Sequence, residues 1–175
     1  MRVIDTDPEN LLLENEDLPS DTYYGPPYSF RSPNLGEGLY SVETGGILRW
    51  FATFERGTIA VTAPQRIYSE VVLFKTAAGA RVELEESGMC GIYGAIETDL
   101  MIGDATKVCT WKDMQANGKY RVDYWIQFTR RNVFLAVGGW GWEGEVEPAF
   151  VEQLARTLLE KVDQAPLASE VSFTP

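Results

Sequence analysis

Residues 120–142, YRVDYWIQFTRRNVFLAVGGWGW, constrain this chain more than any other stretch. Two apolar-rich runs flank the polar tripeptide Arg130-Arg131-Asn132. In the first run Val122, Tyr124, Ile126 and Phe128 share one parity, and Asp123, Trp125, Gln127 and Thr129 share the other. Side chains alternate sides along a strand, so this period of two predicts strands over 120–129 and 133–142. The break between them has room only for a tight turn, so the two runs predict an antiparallel hairpin. A lone hairpin is not stable in water, and further elements must bury one of its faces.

The remaining sequence supplies them. ILRWFATFER (47–56) alternates, with Leu48, Trp50, Ala52 and Phe54 on one face and Ile47, Arg49, Phe51, Thr53 and Glu55 on the other. RIYSEVVLFK (66–75) is rich in β-branched residues. GTIAVTAPQ joins the two, with a short strand at 59–61. GDATKVCTWK (103–112) reads as a turn into a strand, and DMQANGK (113–119) as a loop with an Asn-Gly turn. The glycines of GMCGIYGAIE (88–97) mark turns and match no phosphate-loop pattern. Helical spacing occurs twice. TAAGARVELEESG (76–88) has Thr76 to cap it, Gly88 to stop it, and a stripe of Ala77, Ala80 and Leu84. EPAFVEQLARTLLEKVDQ (147–164) has Pro148 in its first turn and a stripe of Phe150, Val151, Leu154, Leu158 and Val162. This order predicts an α+β fold: a mostly antiparallel sheet of about five to six strands, with two helices packed on one face.

With 175 residues the chain is one domain. Residues 1–46 read as an irregular arm packing on it, because DLPSD, GPPYS and RSPN are turn-forming clusters. Leu11, Leu12, Leu13, Tyr23, Tyr24, Tyr28 and Phe30 give that arm apolar groups to lie on the core as an edge strand or wrap. Residues 47–164 form the domain proper and 165–175 a tail.

Composition removes whole function classes. The net charge of −11 repels phosphate backbones and anionic lipid heads, so no nucleic-acid partner is expected. There is no histidine, which excludes Ser-His-Asp and Cys-His sites within the chain. Two cysteines cannot build a tetrahedral zinc site alone, and no metal or cofactor is expected. DTDPENLLLENE (5–16) places acids like a calcium loop, but Asn10 stands where the sharp turn needs glycine. Cys90 and Cys109 form a disulfide if the chain is exported, or stay as buried thiols in the cytosol. Residues 1–20 are acidic and resemble no export leader, and no stretch spans a membrane. Taken at face value the chain is not exported, unless a leader was removed before this numbering begins.

The aromatic residues carry the remaining signal. Trp140 and Trp142 share the parity of Phe134 and Ala136, at the end of the last strand. Glu143, Glu145 and Glu147 follow, and carboxylates beside aromatics are the chemistry of sugar-cleaving sites. The dipole of the next helix also accounts for acids there. The sheet's second face is unusually apolar, with Ile47, Phe51, Tyr68, Val72, Phe74 and Trp125. It needs a cover: the N-terminal arm in the first instance, otherwise a protein partner or a small apolar ligand. Arg130 and Arg131 at the hairpin tip either grip a carboxylate or phosphate or keep the turn solvated. Phe51, Trp125, Trp140, Trp142, Arg130 and Arg131 are therefore the candidate binding residues.

Several stretches also carry a family likeness: DLPSD (17–21), VVLFKTAAGARVEL (71–84), IGDATKV (102–108), YWIQFTRRNVFLAV (124–137) and FVEQLARTLLEKV (150–162). The chain resembles small bacterial lipoproteins and secreted domains of the LpqN kind, which belong with PsbP-like α/β folds. The resemblance implies an extracytoplasmic, often lipid-anchored, non-catalytic domain that assists a membrane or envelope complex. It brings no functional residue with it. The expectation is thus a non-enzymatic binding or accessory domain using a sheet face and the Trp-bearing hairpin end. The alternatives are a carboxylate-dependent hydrolase near Trp140 and Trp142, or a cytosolic immunity or adaptor protein.

Overall fold

The computed structural model describes residues 2–18, 24, 28–32, 45–56, 63–86 and 89–172, and only the backbone of residues 28–32 and Ile92. In chain order these are β1 (Val3–Ile4), two 3-10 turns (Pro8–Leu11 and Asn15–Asp17), β2 (Tyr28–Ser32), β3 (Gly46–Glu55) and β4 (Arg66–Phe74). Helices α1 (Ala77–Glu86) and α2 (Met89–Tyr93) follow, then β5 (Ala95–Ile96), β6 (Ala105–Met114), β7 (Tyr120–Arg130) and β8 (Val133–Trp142). The chain closes with α3 (Pro148–Gln164) and β9 (Leu167–Ala168). The main sheet runs β2-β3-β4-β8-β7-β6-β5, and every pairing in it is antiparallel. Six of its strands have five residues or more, and β5 adds a two-residue edge. A separate pair joins β1 to β9. The fold is α+β.

The predicted hairpin is the centre of this sheet. Its register runs from Arg130 opposite Val133 to Arg121 opposite Trp142. Arg131 takes the left-handed region, φ +55°, to close the turn. Asn132 beside it is fully buried. Its Nδ2 donates to the carbonyls of Ile4 (3.1 Å) and Phe74 (2.8 Å), and its Oδ1 accepts from Ile4 N–H (2.6 Å).

The helices do not share a face. Val151, Leu154, Ala155, Leu158 and Val162 of α3 pack on Val71, Ile126, Phe128, Leu135 and Val137, the sheet's first face. Ala80 and Leu84 of α1 and Cys90 of α2 pack on Val72, Phe74, Phe134 and Ala136, the second. Thr76 caps α1 through Oγ1 to Gly79 N–H, 3.1 Å. Phe150 is half-buried, and Ala155 completes the α3 stripe instead.

The described part of the N-terminal arm also lies on the first face, not the second. Ile4, Leu11, Leu12, Leu13 and Leu18 join the same core cluster as α3. The reason is width. A helix is roughly 10 Å across and strands are about 4.8 Å apart, so α3 covers about two strands. It lies over β7 and β8, and the 3-10 turn at Pro8–Leu11 lies over β3 and β4. Lys161 clasps the two covers together, donating to Leu12 O (3.0 Å) and pairing with Asp17 (2.7 Å). β2 pairs with β3 as an edge strand. Tyr23, the strand expected at 59–61 and the stop at Gly88 lie outside the described residues. The glycine-marked turns at 88–97 contain α2, five residues too short to show helical periodicity.

Candidate functional site

The second face can be laid out from the strand registers. One row across it reads Trp111, Asp123, Trp140, Arg66, Glu55. The next reads Cys109, Trp125, Gly138, Tyr68, Thr53, and beyond it lies Lys107, Gln127, Ala136, Glu70, Phe51. Helices α1 and α2 cover the end of the face that holds Val72, Phe74, Phe134 and Ala136. The other end is not sealed: Trp140 and Trp142 are half-buried, and Trp111 is 45% exposed.

Gly138 organises the middle row. Trp125 and Tyr68 lie either side of it and stack across it, centroids 5.2 Å apart and planes 17° apart. A Cβ at position 138 would stand 2.3 Å from the Trp125 ring, so only glycine admits this arrangement. Phe51 adds a tilted contact to Tyr68 at 5.8 Å. Gly138→Ala is expected to force Trp125 off Tyr68, at a cost of about 1–3 kcal/mol from overpacking. Near-ultraviolet circular dichroism and urea melts would show it; an unchanged aromatic spectrum would contradict it.

In the outer row, charge holds the aromatics in place. Asp123 is 2% exposed, accepts a hydrogen bond from Arg121 Nη2 (2.9 Å) and is ion-paired with its Nε at 2.9 Å. So fixed, the Arg121 guanidinium lies 4.8 Å from the centre of the Trp140 ring. Arg66, paired with Glu55, approaches the same ring at 5.8 Å, and Lys119 lies 5.7 Å from Trp142. Cations over indole rings are electrostatically favourable, and here they hold three cations among indoles at one end of an acidic protein. Tyr93, at the end of α2, stacks on Trp111 at 5.3 Å. Burial and then the Asp123 carboxylate raise its phenol above the ordinary tyrosine range.

Beneath α1 lies a second charged group, of which Glu83 is buried and Arg49 and Glu70 are partly so. Arg49 bridges Glu70 (Nε, 2.9 Å) and Glu83 (Nη2, 2.9 Å). Burial raises the Glu70 carboxyl above its usual range, against the pull of Arg49 and with the push of Glu83. Cys90 and Cys109 are joined, Cα–Cα 5.2 Å, tying α2 to β6 under this face.

The structure separates the sequence candidates. Phe51, Trp125, Trp140 and Trp142 share the second face. Arg130 and Arg131 do not lie with them. They lie at the opposite end of β7 and β8, roughly 30 Å along the strand from Trp142 at about 3.4 Å per residue. Arg130 is committed to Asp104 (2.9 Å) and Asp163 (2.6 Å), and Arg131 N–H donates to Asp104 (2.6 Å). The tip is a clasp between β7, the loop before β6 and α3. Alternation had already set Tyr68, Asp123 and Trp125 on one face; sequence reasoning missed Arg66, Trp111 and Arg121 as neighbours of the tryptophans. Arg121 shares the parity of Asp123, and only the registers of β4 and β6 could add Arg66 and Trp111.

The acids after Trp142 go separate ways. Glu143 pairs with Lys112 at the surface, and Glu147 is exposed. Glu145 folds back to accept from Trp142 N–H (2.9 Å), Gln65 Nε2 (3.0 Å) and Arg56 Nη2 (3.1 Å). Burial raises its carboxyl, but these donors together outweigh it and hold the group below the usual carboxylate range. A depressed acid stabilises the fold above its unfolded value, near 4.3, and that contribution is lost as pH falls through the folded value. Glu145→Gln is therefore expected to destabilise the protein at pH 7. The gap to wild type should narrow below about pH 4 in denaturant melts, and a pH-independent gap would refute this. Among the described residues no group of three or more acids or cysteines is placed to hold a metal ion. No helix there is long and apolar enough to cross a membrane.

These features define a class: an α+β domain whose antiparallel sheet, among the described residues, is largely covered on one face and half-covered on the other. The extracellular domain of PknH from Mycobacterium tuberculosis has a similar fold, with a TM-score of 0.52 at 15% sequence identity, over 91% of this chain and 98% of that one. No family model matches the chain. No curated protein matches it.

Proposed function

We propose that this chain is a non-enzymatic binding or accessory domain, acting outside the cytoplasm in support of a membrane or envelope complex. Its contact surface is the uncovered half of the second face: Trp111, Trp140, Trp142, Arg66 and Arg121. The observation that carries this is the asymmetry of the sheet. One face is largely covered by α3 and the described arm, with Trp50 and Tyr124 half-buried at its margins, whereas the other leaves Trp111 exposed and groups Trp140, Trp142, Arg66 and Arg121 half-buried beside it. Tryptophan, tyrosine and arginine are the residues that dominate binding energy in protein interfaces, which favours a protein partner over a small apolar ligand. The Cys90–Cys109 bond suits an oxidising compartment. The PknH neighbour is an extracellular domain, and the likeness to LpqN-type lipoproteins points the same way. The acids near Trp142 give a hydrolase no shared pair: Glu143 and Glu145 have different cationic partners.

The test is a comparative capture from solubilised envelope of the cells that make the protein. The wild-type domain should retain a discrete partner that Trp140→Ala/Trp142→Ala loses and Arg156→Ala, on the outer side of α3, keeps. Equal retention by all three would overturn the assignment.

A further inference from the structure

The geometry points to a second docking element, the outer edge of β6, which accepts one more strand from an extended segment of a different protein. It is an edge, not a face, and shares only Trp111 with the surface proposed above. β6 is ten residues long, yet among the described residues only Val108 and Cys109 are paired on its outer side, by the two residues of β5. Residues 110–114 are all exposed. Strand edges present a row of unpaired N–H and C=O groups, and an extended peptide can complete them.

The side chains around this edge agree. Of the six large hydrophobics exposed among the described residues, five are Ile96, Met101, Trp111, Met114 and Tyr120, on β5, β6, the start of β7 or the loop between β5 and β6. Met114 and Tyr120 are direct cross-strand partners. The free stretch of five residues spans about 17 Å, the length of an ordinary short strand.

Charge selects the occupant. Two copies joined edge to edge run antiparallel about a two-fold axis normal to the sheet, which keeps each face continuous. An axis at Lys112 sets that lysine against itself, and an axis at Asp113 does the same for the aspartate; like charges directly opposite are unfavourable. An axis at Trp111 leaves three residues to pair, because β5 holds Val108 and Cys109. An axis at Met114 sets Asp113 and Lys112 opposite Gln115 and Ala116, which have already left the strand for the turn, since β6 ends at Met114. A different chain has no such conflict. Read from its N-terminus, it would set an apolar residue against Met114, a base against Asp113, an acid against Lys112 and an apolar residue against Trp111. Lys112 and Asp113 now hold Glu143 and Gln115 in exposed contacts, which are weak and exchange readily.

The probe is the blocked peptide Val-Lys-Glu-Val-Thr, titrated into the isotope-labelled intact domain and followed by backbone amide shifts. The expected result is saturable shifts confined to residues 95–96 and 108–115. Binding should be several-fold weaker for the charge-swapped Val-Glu-Lys-Val-Thr and lost in Trp111→Lys. No saturable shift at millimolar peptide, or equal binding of the swapped peptide, would overturn the proposal. So would shifts centred on Arg66, Trp140 and Trp142, which would leave the face as the contact surface. Concentration-dependent shifts at 110–114 without peptide would overturn it in favour of self-pairing.

Discussion

Asn132→Ala is expected to cost about 3–5 kcal/mol, a large part of the 5–15 kcal/mol that holds a domain of this size together. The side chain is fully buried and satisfies both backbone groups of Ile4 and the carbonyl of Phe74. Alanine removes the amide and leaves those three groups without partners, at about 1–3 kcal/mol for each one that stays buried. Some of them will find water, so the sum falls short of the full penalty. The substitution also unfastens β1, since Asn132 is what ties Ile4 to the sheet next to Phe74. Urea denaturation should show a lower midpoint with the slope little changed, and limited proteolysis should cut earlier within residues 1–18. A loss under about 1 kcal/mol would mean that the N-terminal segment is held by its leucines alone.

Removing the Cys90–Cys109 bond is expected to cost about 3 kcal/mol. Its ends are 19 residues apart, and closing a loop of that length restrains the unfolded chain by roughly this amount. The native consequence is local. α2 has five residues and no capacity to persist as a helix alone. The bond and the Cys90 N–H to Gln127 Oε1 contact (3.2 Å) hold it down, and Tyr93 reaches Trp111 only from there. Cys90→Ser/Cys109→Ser should therefore lower the guanidinium midpoint and alter tryptophan fluorescence while most of the far-ultraviolet signal remains. Equal stability of the oxidised and reduced proteins would contradict this.

The sequence makes the sheet legible wherever one face is buried and the other is not. Val122, Tyr124, Ile126 and Phe128 alternate with Asp123, Trp125, Gln127 and Thr129 because each set meets a different environment. The stripe Val151, Leu154, Leu158 and Val162 has the helical period because α3 buries a single side. What is not legible is which cover meets which face. The four-residue spacing of Ala80 and Leu84 marks one side of α1 as apolar, not which side of the sheet it crosses. Leu11, Leu12 and Leu13 show that the arm has apolar groups to bury, but their destination depends on how much of the first face α3 leaves open. The site follows the same rule. Trp140 and Trp142 are conspicuous in the sequence, and Trp125 is placed by alternation. Arg66 and Trp111 come to them only through the pairing of distant strands. Arg130 and Arg131 looked available because a turn is usually solvated; Asp104 and Asp163, 26 and 33 residues from Arg130, claim it in three dimensions.

The proposed partner contact is the tryptophan-bearing half of the second face. Site-specific photo-crosslinking measures that directly. A photoreactive residue would be placed at position 142, and separately at position 156 on the outer side of α3, in the cells that make the protein. The expected result is a discrete adduct from position 142 that Arg121→Ala weakens, and none from position 156. Adducts from 156 with none from 142 would contradict it.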